Sequence, residues 1–429
     1  QFKELQLPVP RLYALNVRND NSEYTNGSGY NKDCYLIFVS DHNENCLYSY
    51  SIFECKDCTD MLNSTNCESS YWCSGCNNCF DCMNLLDCSN CHESKFSVDC
   101  KGCSNCWGCI GLRNKEYHFL NREMTREQYL KRIQYITDED KQKFENLKLK
   151  HNYVYMHGLK NENSTGDYID NCKDCVSCYD SHFLENSKYI IHGNKAKDAH
   201  DGYMIGDNTE LMYETIGSLE LNNSKFNNFL MTSSNMEYCD SCHSSKNMFG
   251  CISIRNNEFC ILNKQYEEEE FYKLKDKIIE HMKKTGEYGQ FWPIQNSPFC
   301  YNETAAQDNY PIEKKDAVAQ EYPWKEDEEK VIDKSLPVCE ECGSNFNITK
   351  SEKKFYEIKD LPDPVKCFKC RHRERLSQKN PRNLWHRQCD CTKPNHDHTG
   401  RCSNEFDSTF SPERKELVYC DKCYKSEIY

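Results

Sequence analysis

Fifteen cysteines lie between Cys34 and Cys109, and every one sits at a position that leaves a remainder of one on division by three. They are Cys34, Cys46, Cys55, Cys58, Cys67, Cys73, Cys76, Cys79, Cys82, Cys88, Cys91, Cys100, Cys103, Cys106 and Cys109. Independent placement does not generate such a phase. One side chain in each triplet must share an environment, while the intervening Asp, Glu, Asn, Lys, Ser and Tyr face elsewhere. A straight strand alternates with period two. An α-helix repeats at 3.6. Collagen needs Gly at every third place and abundant Pro, and this chain of 429 residues holds 17 Gly and 12 Pro. What remains is a coil of short strands that bends often and points every third residue inward.

A slower beat overlies the fast one. Cys46, Cys67, Cys88 and Cys109 are 21 apart, as are Cys34, Cys55 and Cys76, and Cys58, Cys79 and Cys100. A fixed period of this size marks a repeat architecture. It predicts a parallel β-solenoid of about 21 residues per coil with cysteine ladders about 4.8 Å apart along its wall. The plan is used twice. Gly108-Cys109-Ile110-Gly111 through Leu120-Asn121 matches Gly250-Cys251-Ile252-Ser253 through Leu262-Asn263 at an offset of 142. In the second copy the beat runs from Cys172 to Leu211, slips by one residue near Glu214–Gly217, and resumes from Ser218 to Ile254. Ser, Ala, Gly, Leu and Met replace most of the cysteines there. Ligands or disulfides cannot be replaced so freely, whereas small buried side chains can.

Each copy is followed by a helical pattern. Thr125 with Gln128 forms a capping box, and the helix breaks near Thr137 before continuing to about Lys148. A second, Glu-rich helix spans about Glu267–Lys284 and ends at Gly286, a C-cap glycine. A helix after the last coil is expected to cover the unpaired strand edge. The fold class read here is therefore mainly β, with two tandem parallel β-solenoids at 1–121 and 151–265. Capping helices occupy 122–150 (with a linker) and 266–286, an acidic extended linker 287–335, and a double zinc-ribbon domain 336–429.

The C-terminal region carries the metal chemistry. Cys339-x-x-Cys342 and Cys367-x-x-Cys370 supply four soft ligands at the spacing of a closed, tetrahedral zinc site. A second site uses Cys420 and Cys423 with a pair from Cys389, Cys391 and Cys402; Cys389 with Cys402 and Cys391 with Cys402 both remain open. The cysteine left over stays free or joins a histidine, since His396 and His398 lie nearby. A further metal could sit in the solenoid at Cys55, Cys58, Cys76 and Cys79, two C-x-x-C pairs on adjacent coils, if the ladder's ~4.8 Å closes to the ~3.8 Å that four thiolates around zinc require. Between the ribbon sites lies a basic run, Lys366, Lys369, Arg371, Arg373, Arg375, Lys379, Arg382 and Arg387, with one acid among them. It reads either as a nucleic-acid contact, driven by counterion release, or as a helix docked on the acidic solenoid.

The cassettes, the segment from Glu287-Tyr288-Gly289-Gln290-Phe291-Trp292-Pro293 to Thr304, the Cys367 ribbon, Ser411-Pro412-Glu413-Arg414 and Val418-Tyr419-Cys420-Asp421-Lys422-Cys423-Tyr424 together form a specific combination. It resembles an uncharacterised cysteine-rich zinc-ribbon protein family of ultrasmall candidate-phyla (Patescibacteria-type) bacteria. That resemblance spans nearly the whole chain. It implies a bacterial cytosol and a further zinc ribbon ahead of the region that begins here with Gln1, and it implies no activity. The insertion between Cys391 and Cys402 departs from the simpler pattern.

Net charge is −14. No apolar run approaches the ~18 residues of a membrane span, and thiolate ligands suit a reducing cytoplasm. No G-x-S-x-G, P-loop or H-E-x-x-H motif is present. The expected function is a non-enzymatic, zinc-binding scaffold that engages a protein partner or itself, with no membrane; the sequence identifies no small-molecule substrate. Two alternatives stand beside it: an RNA- or ribosome-associated factor acting through the basic ribbon, and metal storage by the cysteine ladders.

Overall fold

The triplet is visible in the backbone of the computed structural model. Among the described residues from Arg18 to Leu120, every one with positive φ, glycines included, carries a number divisible by three. Each such residue turns the chain by a corner. Left-handed conformation costs an L-residue about 1 kcal/mol or more, so Asn, Asp and Gly recur there, as at Asn21, Gly27, Asp33, Asn45, Asp57 and Asn66. Four corners complete one coil. Tyr35 lies opposite Leu47, Leu47 opposite Thr59, and Thr59 opposite Tyr71, all parallel. The coil therefore holds 12 residues, and the expected 21 is corrected. A spacing of 21 is one coil plus three of its four sides. Because every inward column shares one phase of three, cysteine positions alone do not separate the two lengths.

The structure describes residues 1–10, 14–71, 91–205, 233–326 and 332–428, and the backbone alone of 209–210, 216–219 and 228–231. Among the described residues, parallel coil-to-coil pairing is found between Asn16 and Tyr71, between His92 and Phe119, between Glu162 and Met231, and between Ser234 and Ile261. In the second stack Ile191 lies 12 before its partner Tyr203, but Ala196 pairs with Thr209 and Tyr203 with Ile216, 13 apart. The one-residue slip thus precedes Thr209 rather than falling near Glu214–Gly217, and the offset returns to 12 at Ile216 and Asn228.

A four-sided coil offers only four inward side chains. Its interior is narrow, and it imposes a polar requirement as well as a steric one. Lys32 N–H donates to Asn43 O (2.8 Å) and Asn45 N–H donates back to Lys32 O (3.0 Å), a ladder that joins successive coils through outward and corner residues. Inward residues meet their needs differently. Asn43 N–H donates to Asn31 Oδ1 (2.9 Å), Cys55 N–H to Asn43 Oδ1 (2.9 Å), Met61 N–H to Ser49 Oγ (3.0 Å) and Cys46 N–H to Cys34 Sγ (3.4 Å). In each case the acceptor is the inward side chain one coil earlier. The Cys46 thiol in turn lies 3.4 Å from the carbonyl oxygens of Glu44 and Cys55, either of which accepts its proton. Cysteine is here a compact donor and acceptor, not only an apolar filler. A buried N–H left without an acceptor costs about 1–3 kcal/mol, and this selects Cys, Ser and Asn.

In the second stack volume does more of the selecting. A Cβ on Gly202 would stand 2.0 Å from Ile205 Cδ1, and one on Gly193 2.5 Å from Ile190 Cγ2. Bulky isoleucines thus fill the space that thiols fill elsewhere, and the glycines beside them keep the layer at the right size.

The stacks end in the same way. Glu116–Phe119 pairs antiparallel with Arg122–Glu123 through a turn at Leu120 and Asn121, both at positive φ; Glu258–Ile261 pairs with Lys264–Gln265 through Leu262 and Asn263. This hairpin, rather than a helix, covers the terminal strand edge. The helices lie on the coil's side. After a short N-terminal α1 (Phe2–Gln6), α2 (Arg126–Arg132) and α3 (Asp138–Lys148) begin at capping boxes on Thr125 and Thr137. Tyr129 of α2 packs on an outward stripe of Trp107 and Phe119, whose rings stack at 4.9 Å, and Phe144 of α3 packs on Val98 and Ile110. In the second copy α4 (Glu268–Thr285), closed by Gly286 at φ 78, sets Phe271 against Tyr238, Phe249 and Ile261.

The described part of the segment expected to be an extended linker is folded. It contains α5 (Ala305–Asn309) and α6 (Lys314–Ala319), Tyr301 N–H donates to Pro323 O (2.7 Å), and Tyr301 stacks on Tyr322. The C-terminal region follows with α7 (Lys350–Ile358), α8 (Phe368–Gln378), a hairpin of Trp385–Gln388 with Glu405–Ser408, and α9 (Asp421–Ile428). Its strand Leu417–Tyr419 pairs in parallel with Asn152–Val154, the segment that joins the two stacks. Among the described residues no helix is long and apolar enough to cross a membrane.

Candidate metal centre

The first cluster forms where a tight turn meets a helix start. Gly343 N–H donates to Cys339 O (2.9 Å), with Gly343 at φ 68, so the chain doubles back and Cys339 and Cys342 face one side. Cys367 is the N-cap of α8 and Cys370 lies in its first turn. The four sulfurs fall within 4.8 Å of one another, and Cys342 Sγ is 3.8 Å from Cys367 Sγ. A tetrahedral ion with bonds of about 2.3 Å needs edges of about 3.8 Å, so the donor set fits. Burial works against a thiolate at Cys339, but backbone N–H groups, those of Cys342 and Cys367 foremost, outweigh it and bring its pKa down to about 6. Burial raises Cys370 to about 12 despite Arg373, whose guanidinium donates to its sulfur at 3.0 Å.

The second cluster repeats the device. Cys389 and Cys402 stand at the loop end of the hairpin, just past Gln388 and just before Glu405, while Cys420 and Cys423 flank the start of α9; all four sulfurs lie within 4.8 Å. Cys420 N–H donates to Cys389 Sγ (3.3 Å), and the Asn404 amide donates to Cys420 Sγ (3.3 Å). Of the two open pairings, the structure brings Cys389 together with Cys402. Cys391 instead faces His396 and His398, and these three form a further group with Cys423. Of the two expectations for the leftover cysteine, free or joined to a histidine, the geometry places Cys391 beside histidines, at a C-x4-H-x-H spacing.

Among the described residues the solenoid thiols form no such group. Cys55 and Cys58 are buried, and their thiols point at backbone carbonyls: Phe53 and Ser64 for Cys55, Lys56 and Cys67 for Cys58. A pitch of 12 stacks Cys67 and Ser70 on them, not the expected Cys76 and Cys79, which lie outside the described residues. No disulfide is formed among the described cysteines.

The basic run is turned toward the solenoids. Arg371 Nε and Arg375 Nη1 lie 2.9 and 2.8 Å from the two oxygens of Asp60, which is 1% exposed, and Arg371 also reaches Glu352 at 2.9 Å. Lys379 and Arg382 take the two oxygens of Asp180 at 3.0 and 2.7 Å. Lys366 pairs with Glu341 and Glu374, Arg387 with Asp390, and Arg373 with the Cys370 sulfur. Lys369 is exposed. The expected nucleic-acid surface is thus largely engaged in ion pairs within the chain. Asp60 and Asp180, both at corner positions with positive φ, were not foreseen, because acids at corners are common in this sequence.

No protein-family model matches the chain, and no curated protein matches it. Among solved structures the chain is similar to one described as a "putative acetyltransferase from Desulfovibrio desulfuricans G20", at 10% identity over 62% of this chain and 71% of that one, with a TM-score of 0.11. A likeness of this size bears on neither fold nor activity.

Proposed function

We propose that this protein is a non-enzymatic scaffold whose two β-solenoid stacks are held in register by a zinc-loaded C-terminal module, and that it presents its uncovered coil faces to a protein partner or a second copy. The observation that carries the reading is the pair of acids under α8 and the residues after it. Asp60 belongs to one stack and Asp180 to the other, and a single metal-organised segment grips both. Asn63 Nδ2 donates to Asp180 (2.6 Å), and the hydroxyls of Tyr50 and Tyr203 meet at 2.5 Å, so the stacks touch beneath the clamp. All-sulfur tetrahedral sites are characteristic of structural zinc. Thiols that serve as ligands and as hydrogen-bond donors must stay reduced, which supports a cytosolic setting.

Neither alternative gains a specific observation. Phosphate binding by the basic run requires breaking buried ion pairs, and storage by the coil cysteines requires breaking their hydrogen bonds to the backbone. Chelation of the purified protein tests the reading. Metal removal should expose the segment between α8 and the Trp385 strand to limited proteolysis and separate the stacks in small-angle scattering. An unchanged scattering profile after complete demetallation would sink it. Size-exclusion with light scattering and a pull-down read out the partner, and a strict monomer without partners counts against the scaffold role.

A further inference from the structure

We propose that the C-terminal cysteines build a two-metal centre, in which Cys423 Sγ bridges an ion held by Cys389, Cys402 and Cys420 to a second ion held by Cys391, His396 and His398. The inference deepens the reading of a metal-loaded module and rests on it. Two groups of four ligand atoms, each with all members within 4.8 Å, share the Cys423 sulfur.

The histidines supply the independent argument. His396 Nε2 lies 3.0 Å from Glu427 Oε1, and its Nδ1 lies 3.0 Å from Cys391 Sγ. The carboxylate accepts a hydrogen bond, so the ring proton sits on Nε2 and the lone pair of Nδ1 faces the sulfurs. His398 does the reverse. Its Nδ1 is 2.9 Å from Gly400 O, a carbonyl that only accepts, which leaves the Nε2 lone pair 3.5 Å from Cys423 Sγ. Each ring thus donates its proton to an oxygen of the protein and turns the opposite nitrogen inward. Metal-bound histidines are held in this manner, by a carboxylate or a carbonyl on the far nitrogen. Glu427 is itself fixed, with Lys393 at 3.5 Å and Asn152 at 3.4 Å from its other oxygen. The loop between Cys391 and Cys402 carries both histidines.

Charge points the same way. Four thiolates around one divalent ion leave excess negative charge in a buried site, where a bound ion dominates the local field. A second divalent ion brings one further thiolate and two neutral rings, and so reduces that excess. Two bonds of about 2.3 Å from one sulfur place the ions within about 4 Å of each other.

The test uses the full chain loaded with zinc or with cobalt(II). Native mass spectrometry should find three ions per chain, one in the Cys339 cluster and two here. His396→Ala with His398→Ala should carry two. Glu427→Gln keeps every ligand and should weaken the third ion on the order of 10-fold or more in a competition titration. In the cobalt form, ions sharing a sulfur couple, so paramagnetic resonance intensity per ion should be lower in the wild type than in the double-histidine variant. Two ions per chain in the wild type, with Glu427→Gln unchanged, would overturn the bridge and leave Cys391 as a thiol donating to His396, with the clamp reading intact. A chain that binds no ion at all would remove both.

Discussion

The same residue does two different things at the two ends of this molecule. In the coils a cysteine sulfur sits among backbone carbonyls and the amide of the next coil, as Cys34 does with the carbonyls of Lys32 and Asn43 and the N–H of Cys46. In the C-terminal module a cysteine sulfur sits among other sulfurs, as Cys342 does with Cys367 at 3.8 Å. The first arrangement satisfies polar groups in a narrow interior, and serine or asparagine can take it over. The second concentrates soft ligands, and nothing but another metal donor can take it over. Burial does not distinguish them, since the described coil cysteines and every cluster cysteine but Cys342 are nearly inaccessible. What distinguishes them is whether the backbone around the sulfur belongs to a ladder or to a tight turn facing a helix start.

The sharpest way to break the comparison is a matched pair of cysteine substitutions. Cys370→Ser should lose one metal ion per chain and unfold the module around α8, since a structural ion contributes on the order of 10 kcal/mol to a small domain that depends on it. Cys58→Ser should lose none. Native mass spectrometry decides both. Metal loss from Cys58→Ser would mean the coils also bind ions.

Next in size is the clamp. Asp60→Asn removes the charge that two buried guanidiniums share, those of Arg371 and Arg375. Truncating one side of a buried pair costs about 3–5 kcal/mol, and chemical denaturation should show a loss of that order. Exposed pairs such as Lys32 with Glu44 contribute little, so Glu44→Gln should be almost silent.

Acid attacks the second anchor. Burial opposes ionisation of Asp180, but Lys379 and Arg382 more than offset it and hold its pKa below the ordinary carboxylate range. Burial, with Arg382 beside it, pushes His192 down to about 3. Both folded-state values are depressed, so both contributions are complete at neutral pH and decline as the solution is acidified. His192 acts first: the unfolded chain takes up its proton below about 6.5, whereas the folded chain resists until near 3. Stability should fall by up to about 1 kcal/mol per pH unit in that window. His192→Gln should flatten the fall between pH 6 and 4 in equilibrium denaturation; an unchanged slope would show that His192 does not titrate against the fold.

How much of this was legible in the sequence follows from the same physics. The phase of three was readable because each coil repeats one inward place per side, and the cysteine, serine and asparagine at that place announce it. The coil length was not readable. Cys34, Cys46 and Cys58 are spaced by 12, but Cys46, Cys67 and Cys88 are spaced by 21 with equal clarity, and only the corner geometry separates these. The Cys339 cluster was legible because its spacing is local. The pairing of Cys389 with Cys402 was not, because three cysteines competed and the hairpin that decides among them is a tertiary feature. Asp60 and Asp180 were illegible because their importance lies in partners more than 190 positions away.

The smallest effect probes the coil side of the comparison most directly. Cys34 Sγ accepts the N–H of Cys46, and the Cys34 thiol itself faces Lys32 O at 3.2 Å. Cys34→Ala takes away the acceptor and strands a buried N–H, at a cost of about 1–3 kcal/mol. Cys34→Ser keeps a donor and an acceptor at the same place, as Ser49 does for Met61, and should recover most of that loss. Cys34→Val restores the lost volume but not the acceptor, so it should resemble Ala rather than Ser. If Val proves as stable as Ser in denaturant titrations, the coil cysteines are apolar filler after all. The recurrence of Ser and Asn at inward places would then need another cause.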